Sequence, residues 1–232
     1  MAATLQQFLA RVATRQRVVV LGGLAVIAHG YSRPTKDGDA WLEPLASPEA
    51  WAEDLEKVLG EFPDVTLWSL AERRTLAPTE IAATITQDGV LRVSGLAADL
   101  DLFRKPNGLE CEQFETVWQH ATAWADEVRV MDPIDLILTK DATGREQDAQ
   151  DVFYLELKIR SDLGARLAVA TPEEAEAIFA RYVDHAICER ALANPHAAVR
   201  ERAKALLAEL AESGDWFARD ILAQLTDDRS SA

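Results

Sequence analysis

At 232 residues, 48% of them hydrophobic, with only 11 glycines and 9 prolines, the chain excludes a disordered or low-complexity protein and has the length for a catalytic domain with a helical appendage. A formal net charge of −15 excludes the basic stripe that holds long nucleic acid by nonspecific phosphate contact. A small or shape-specific substrate, or a basic partner protein, stays open.

The N-terminal stretch MAATLQQFLARVATRQR carries polar residues throughout, and no apolar run approaches the roughly 20 residues of a membrane span, so the sequence predicts a cytoplasmic protein without membrane contact. Leu5, Phe8, Leu9 and Val12 at helical spacing predict an opening helix over 4–15. The β-branched run Val18–Leu21, ending at Gly22-Gly23 and followed by LAVIAHG, predicts a strand, a tight turn and a buried helix ending near Gly30. KDGDAWL reads as a second strand, and SPEAWAEDLEKVLGEF as a helix with Ser47 as N-cap and Pro48 in its first position. VTLWSL is a further strand. Within 72–86 the pattern is ambiguous, with PTEIAATI favouring helix. Asp88-Gly89 is a turn signal, after which VLRVSG and ADLDLF can pair as a hairpin.

Beyond residue 131 helices are expected at 133–142, about 146–168, 172–193, 196–212 and 215–226, with Pro133, Pro172 and Pro195 marking starts. The fold class that follows is α+β, a mixed-sheet domain at 1–131 with a helical region at 132–232 packed on it. The last two helical patterns, separated by SGD, read as a hairpin on the core rather than a solenoid, which needs about three or more repeats. Cys111 and Cys188 have no metal-site spacing and read as reduced, buried thiols. The six tryptophans, at 41, 51, 68, 118, 124 and 216, read as core, and His29, on a buried helix, as a packing residue.

Chemistry concentrates in the carboxylates. Asp37 and Asp39 sit at i and i+2 on a strand, so both point to one face and can share an ion. Hard oxygens of this kind suit Mg²⁺ or Mn²⁺. Upstream, Gly22-Gly23 offers bare backbone N–H groups suited to a phosphate, and Asp99 and Asp101 repeat the i, i+2 spacing on a later strand. Strands lying side by side would gather three or four carboxylates at one locus, the requirement for two-metal phosphoryl transfer.

The stretch VVVLGGLAVIAHGYSRPTKDGDAWL resembles the signature of polymerase β-type nucleotidyltransferases, in particular the small bacterial branch that includes toxin/antitoxin nucleotidyltransferases. Gly22 and Gly23 match the pair that opens a helix; Arg33, Thr35, Asp37 and Asp39 match the Arg-x-Thr-x-Asp-x-Asp run that carries two metal ligands. LDLFRKPNGLECEQFETVW and DPIDLILTKDATGREQDAQDVFYLE extend the resemblance over most of 17–157. It implies a nucleotidyltransferase-like fold and transfer of a nucleoside monophosphate from an NTP to an RNA, protein or small-molecule acceptor. The implied third carboxylate is Asp101, with Asp99 as its competitor on the same strand face. Lys140 and Asp148 are implied to steady and position the triphosphate, against a reading of that helix as solvated and laced with ion pairs. Arg33 either binds phosphate or pairs with Asp37 or Asp39. Gly23 departs from the family, where serine commonly follows the first glycine. The rival to an enzyme is a binding protein of the same fold that performs no transfer and acts through its C-terminal helices.

Overall fold

Alternating and β-branched runs build one sheet in the first two-thirds of the chain. The computed structural model describes residues 2–45, 47–125 and 127–230. Two compact units are present, Met1–Leu155 and Glu156–Ala232.

In the first unit, α1 (Leu5–Ala13) starts at Thr4, whose hydroxyl accepts from the Gln7 N–H while the Gln7 side chain reaches back to the Thr4 N–H, a reciprocal cap that satisfies two otherwise orphaned donors. β1 (Val18–Leu21) is buried at all four positions and runs directly into α2 (Gly22–Ala28). Then come β2 (Asp37–Leu42), α3 (Pro48–Leu59), β3 (Thr66–Ser69), β4 (Arg74–Thr75) and α4 (Ile81–Asp88), the last preceded by a 3-10 turn at Pro78–Glu80. Ser47 caps α3 by accepting from the Ala50 N–H, with Pro48 at the first helical position where its missing N–H costs nothing. Gly89 ends α4 in the left-handed region, at φ 69°, and leads into β5 (Val90–Ser94), which forms a hairpin with β6 (Asp99–Phe103). α5 (Phe114–His120), β7 (Thr122–Ala125), β8 (Val128–Val130), α6 (Pro133–Asp141) and α7 (Glu146–Leu167) follow, and the division between units falls within α7.

The strands form one mixed sheet in the order β4-β3-β5-β6-β2-β1-β8-β7. β1 pairs antiparallel with β2 and parallel with β8, while β2 pairs parallel with β6. The β7–β8 ribbon does not announce itself in the sequence, since its strands are four and three residues long and β7 is largely exposed. Trp41, Trp51, Phe8, Leu55, Leu100 and Leu102 are among the fully buried side chains of this unit's core.

The second unit contains α8 (Pro172–Phe179), α9 (His185–Ala191), α10 (Ala197–Glu212) and α11 (Trp216–Ser230) around a core of Leu167, Ile178, Phe179, Ile187, Cys188, Leu206 and Leu207. The single helix expected over 172–193 is two. Asp184 adopts an extended backbone and its carboxylate accepts from the Ile187 N–H, a local hydrogen bond that competes with continuation of α8. Trp216 also departs from expectation: it is 63% exposed, stacked on Phe217, which stacks on His185. Among the described residues no helix is long and apolar enough to cross a membrane.

Candidate functional site

Strand register assembles the carboxylates. In the parallel β2–β6 pair Asp37 lies opposite Asp99 and Asp39 opposite Asp101, so all four side chains leave the sheet on one face. The intervening Gly38 and Leu100 serve the other face, where a side-chain carbon at Gly38 would meet Leu24, Leu5 and Leu100 within 3.3 Å. On β1, Leu21 lies opposite Asp39, which sets Gly22 directly over the Asp39 carboxylate. Gly22 has φ 62°, and a Cβ there would stand 1.9 Å from Asp39 Oδ2. Only glycine permits both the left-handed backbone and the close approach.

Asp39 is half-buried, and its carboxyl pKa is pushed up to about 7, first by burial and then by the charges of Asp101 and Asp37, with Lys140 and Arg145 pulling the other way. The site therefore carries a concentration of negative charge that a cation would relieve.

A cleft of about 400 Å³ opens beside these carboxylates, lined by Gly22, Gly23, Thr35, Asp37 and Asp39 together with the cations Arg33, Lys36, Lys140 and Arg145 and the carboxylate Asp148. Every sequence-predicted site residue except Asp101 lines it. Asp101 is 8% exposed, beside Asp39 on the next strand, and both of its oxygens are held by Arg92: Nε to Oδ1 at 2.7 Å and Nη2 to Oδ2 at 2.8 Å. Arg92 Nη2 is also 3.7 Å from Asp37 Oδ2, and Nη1 is 3.6 Å from Asp99 Oδ2. As the side chains stand, no three His, Cys, Asp or Glu residues among those described are grouped so as to hold a metal ion. The donor chemistry nonetheless fits a hard divalent cation of the Mg²⁺ or Mn²⁺ kind, which takes one or two carboxylates with phosphate and water oxygens for the rest, and Asp37 and Asp39 face the cleft free of such a grip on both oxygens.

The cationic wall is braced from beneath. Lys140 Nζ donates to Asp148 Oδ1 at 2.8 Å and lies 2.7 Å from Asp151 Oδ2; all three side chains are buried. Arg145 Nε and the Thr143 hydroxyl donate to Asp148 Oδ2. Burial of Asp148 opposes its ionisation, but the hydrogen bonds from Lys140 and Thr143 outweigh it and hold the carboxyl below its ordinary range. The reading of this helix as solvated is thus corrected: period-3 spacing brings Asp148 and Asp151 to one buried lysine. Arg33 is corrected too, since its Nη2 donates to Asp151 Oδ2 at 2.7 Å instead of pairing with Asp37 or Asp39. Arg33 Nε and Asp151 Oδ1 are buried without hydrogen-bond partners.

Thr35 Oγ donates to the Asp37 carbonyl at 2.9 Å and so shapes the entry to β2. A Cβ at Gly23 would meet Thr35 Oγ1 at 2.7 Å and Arg33 Nη2 at 2.9 Å, so the space a serine needs is taken by these two side chains. His29 is a packing residue, its Nε2–H donating to the Met131 carbonyl at 2.8 Å. Arg92 is the residue that motif reading misses; Arg145 and Asp151 fall in the matched stretch DPIDLILTKDATGREQDAQDVFYLE but take no role of their own from it. For Arg92 a signal exists: Val90, Arg92 and Ser94 share a face of the predicted hairpin, but only the register opposite Asp101 gives the arginine its partner.

No protein-family model matches the chain, and no curated protein is significantly similar to it.

Proposed function

We propose that this protein is a metal-dependent nucleotidyltransferase of the polymerase β type, moving a nucleoside monophosphate from an NTP to an RNA, protein or small-molecule acceptor. The observation that carries this reading is the pairing of Asp37 with Asp99 and Asp39 with Asp101 on one sheet face, beside a cleft walled by Arg33, Lys36, Lys140 and Arg145. In the transfer an acceptor oxygen bonds the α-phosphorus, the bond from that phosphorus to the β-bridging oxygen breaks, and pyrophosphate leaves. Asp37 and Asp39, with Asp101 or its neighbour Asp99 as the further carboxylate, would hold Mg²⁺ or Mn²⁺, which would supply charge neutralisation for the triphosphate and a lowered pKa for the acceptor hydroxyl.

The chain's own residues do the rest. Gly22 leaves room for the Asp39 carboxylate against the strand-to-helix turn, where a side chain would collide with it. Arg145, with its side chain 73% exposed, and Lys36 reach phosphates from the open side of the cleft. Lys140, clamped by Asp148 and Asp151, presents a positive charge in a fixed position, so little reorganisation is needed as charge shifts on the leaving pyrophosphate. The net charge of −15 disfavours broad binding of nucleic acid and leaves recognition of one acceptor end, or of a basic partner protein such as the other member of a toxin–antitoxin pair.

A second reading draws on the Arg92–Asp101 pair: with a guanidinium already neutralising the third carboxylate, the cleft binds a nucleotide and transfers nothing. One experiment separates the two. The protein is incubated with each labelled NTP, Mg²⁺ and a total cell extract, alongside Asp39→Asn. The enzyme reading expects label on one acceptor class, lost in the variant by a factor of about 10³ or more. Absence of label with every NTP, together with a nucleotide-induced rise in melting temperature, selects the binding protein.

A further inference from the structure

One guanidinium serves three carboxylates. Arg92 lies directly opposite Asp101 across the antiparallel β5–β6 pair, so its side chain leaves the sheet on the face of Asp37, Asp39 and Asp99. Its fork takes both oxygens of Asp101 and stands within 3.7 Å of Asp37 and 3.6 Å of Asp99. Bidentate arginine–carboxylate pairs are directional, and in this half-buried setting they are weakly screened. Asp101 gives one lone pair of each oxygen to Arg92, so another cation must share those oxygens with the guanidinium.

We propose that Arg92 is a built-in counter-cation that occupies the carboxylate face in the metal-free protein and competes with a divalent ion for it. The proposal rests on this face being a divalent-ion site, as the nucleotidyltransferase reading requires. Four carboxylates share the face with this one guanidinium and leave a net negative charge, so the face still attracts a cation. An ion approaching Asp101 nevertheless meets a like charge a few ångströms away and competes with the guanidinium for the same two oxygens. Arg92 thereby weakens metal affinity in the free protein and holds the face together when no ion is bound. Nucleotide phosphates, which bring their own negative charge and an accompanying ion, shift that balance. Metal loading is in this way coupled to NTP binding.

The test uses the full chain without nucleotide, with binding of Mn²⁺ followed through the electron paramagnetic resonance signal of the free ion. Arg92→Gln should bind Mn²⁺ about tenfold or more tightly than the wild type, because one positive charge has left the site. Arg92→Lys, which keeps the charge but lacks the fork, should fall between them. In chelator Arg92→Gln should melt below the wild type, and added Mn²⁺ should raise its melting temperature by more. If Arg92→Gln does not fold in chelator, Arg92→Lys carries the comparison, and affinity equal to the wild type's overturns the proposal. Wild-type binding of Mn²⁺ with equal or weaker affinity in the folded Arg92→Gln protein overturns it while leaving the transferase reading in place. No Mn²⁺ bound by any of the three overturns both.

Discussion

Asp39 is the residue on which the electrostatics of the site converge. In metal-free buffer its folded-state pKa is raised to about 7 from an ordinary 3.8, by burial and by Asp101 and Asp37. A carboxyl whose folded pKa is raised contributes stability that is fully present below about 3.8 and is lost as pH rises through about 7, because the native state binds the proton more tightly than the unfolded chain does. In chelator, therefore, the wild-type melting temperature should fall between pH 5 and 8 more steeply than that of Asp39→Asn. At pH 8 the variant should be as stable or more so, by about 1–3 kcal/mol, while transfer is abolished. Parallel melting curves over this range would count against Asp39 as the focus of the charge. Gly22 makes the opposite case, a residue whose role is to be absent. Gly22→Ala incurs roughly 1–2 kcal/mol for the left-handed backbone, and its methyl would stand 1.9 Å from Asp39 Oδ2. A melting temperature several degrees lower, with nucleotide response lost as well, is expected; an alanine variant with wild-type stability and wild-type nucleotide response would refute the close approach. Gly23→Ser should likewise fail to improve nucleotide binding, since Thr35 and Arg33 fill the space its side chain needs.

Among the elements, β6 and α9 show what short segments decide. A one-residue slip of β6 against β2 would send Asp99 and Asp101 into the core and Leu100 and Leu102 to the cleft, an exchange that burial of these leucines forbids. The carboxylate set is thus held in place by apolar side chains on the other face of the same strand. In the second unit the break between α8 and α9 depends on Asp184, which caps α9 through the Ile187 N–H, accepts from Arg160 Nε and lies 3.2 Å from the Tyr182 hydroxyl. Asp184→Ala removes the cap, at about 1–2 kcal/mol, and takes from the half-buried guanidinium of Arg160 its nearer carboxylate, leaving Glu156 at 3.7 Å. Amide hydrogen exchange across 172–191 should quicken in this variant, and unchanged protection there would show the cap to be dispensable.

For the molecule as a whole, two hydrophobic cores with no residue in common give two reporters. Cys188 is fully buried in the second core and burial pushes its thiol up to about 12, so alkylation at neutral pH requires that Glu156–Ala232 open, whereas Cys111, half-buried in the first unit, reacts sooner. Asp184→Ala should speed modification of Cys188 several-fold without altering Cys111; equal acceleration at both would mean that the two cores open as one. Most elements of the first unit are legible in the sequence because each rests on local chemistry: the helical spacing of Leu5, Phe8, Leu9 and Val12, the cap at Ser47, the turn at Asp88-Gly89, the period-2 carboxylates of β2 and β6. Of the cleft's lining, Gly22, Gly23, Arg33, Thr35, Asp37, Asp39, Lys140 and Asp148 are singled out in the sequence, whereas Pro34, Lys36 and Gln147 are not. What the sequence by itself determined is which side chains share a strand face or a helix face, since that follows from the backbone's period alone. Tertiary structure decided what pairs across elements: Arg92 on Asp101, Arg33 on Asp151, one buried lysine between Asp148 and Asp151, and a short β8 placed beside β1. Charge partners and strand neighbours separated by up to 118 residues are chosen by register and packing, which no local pattern encodes.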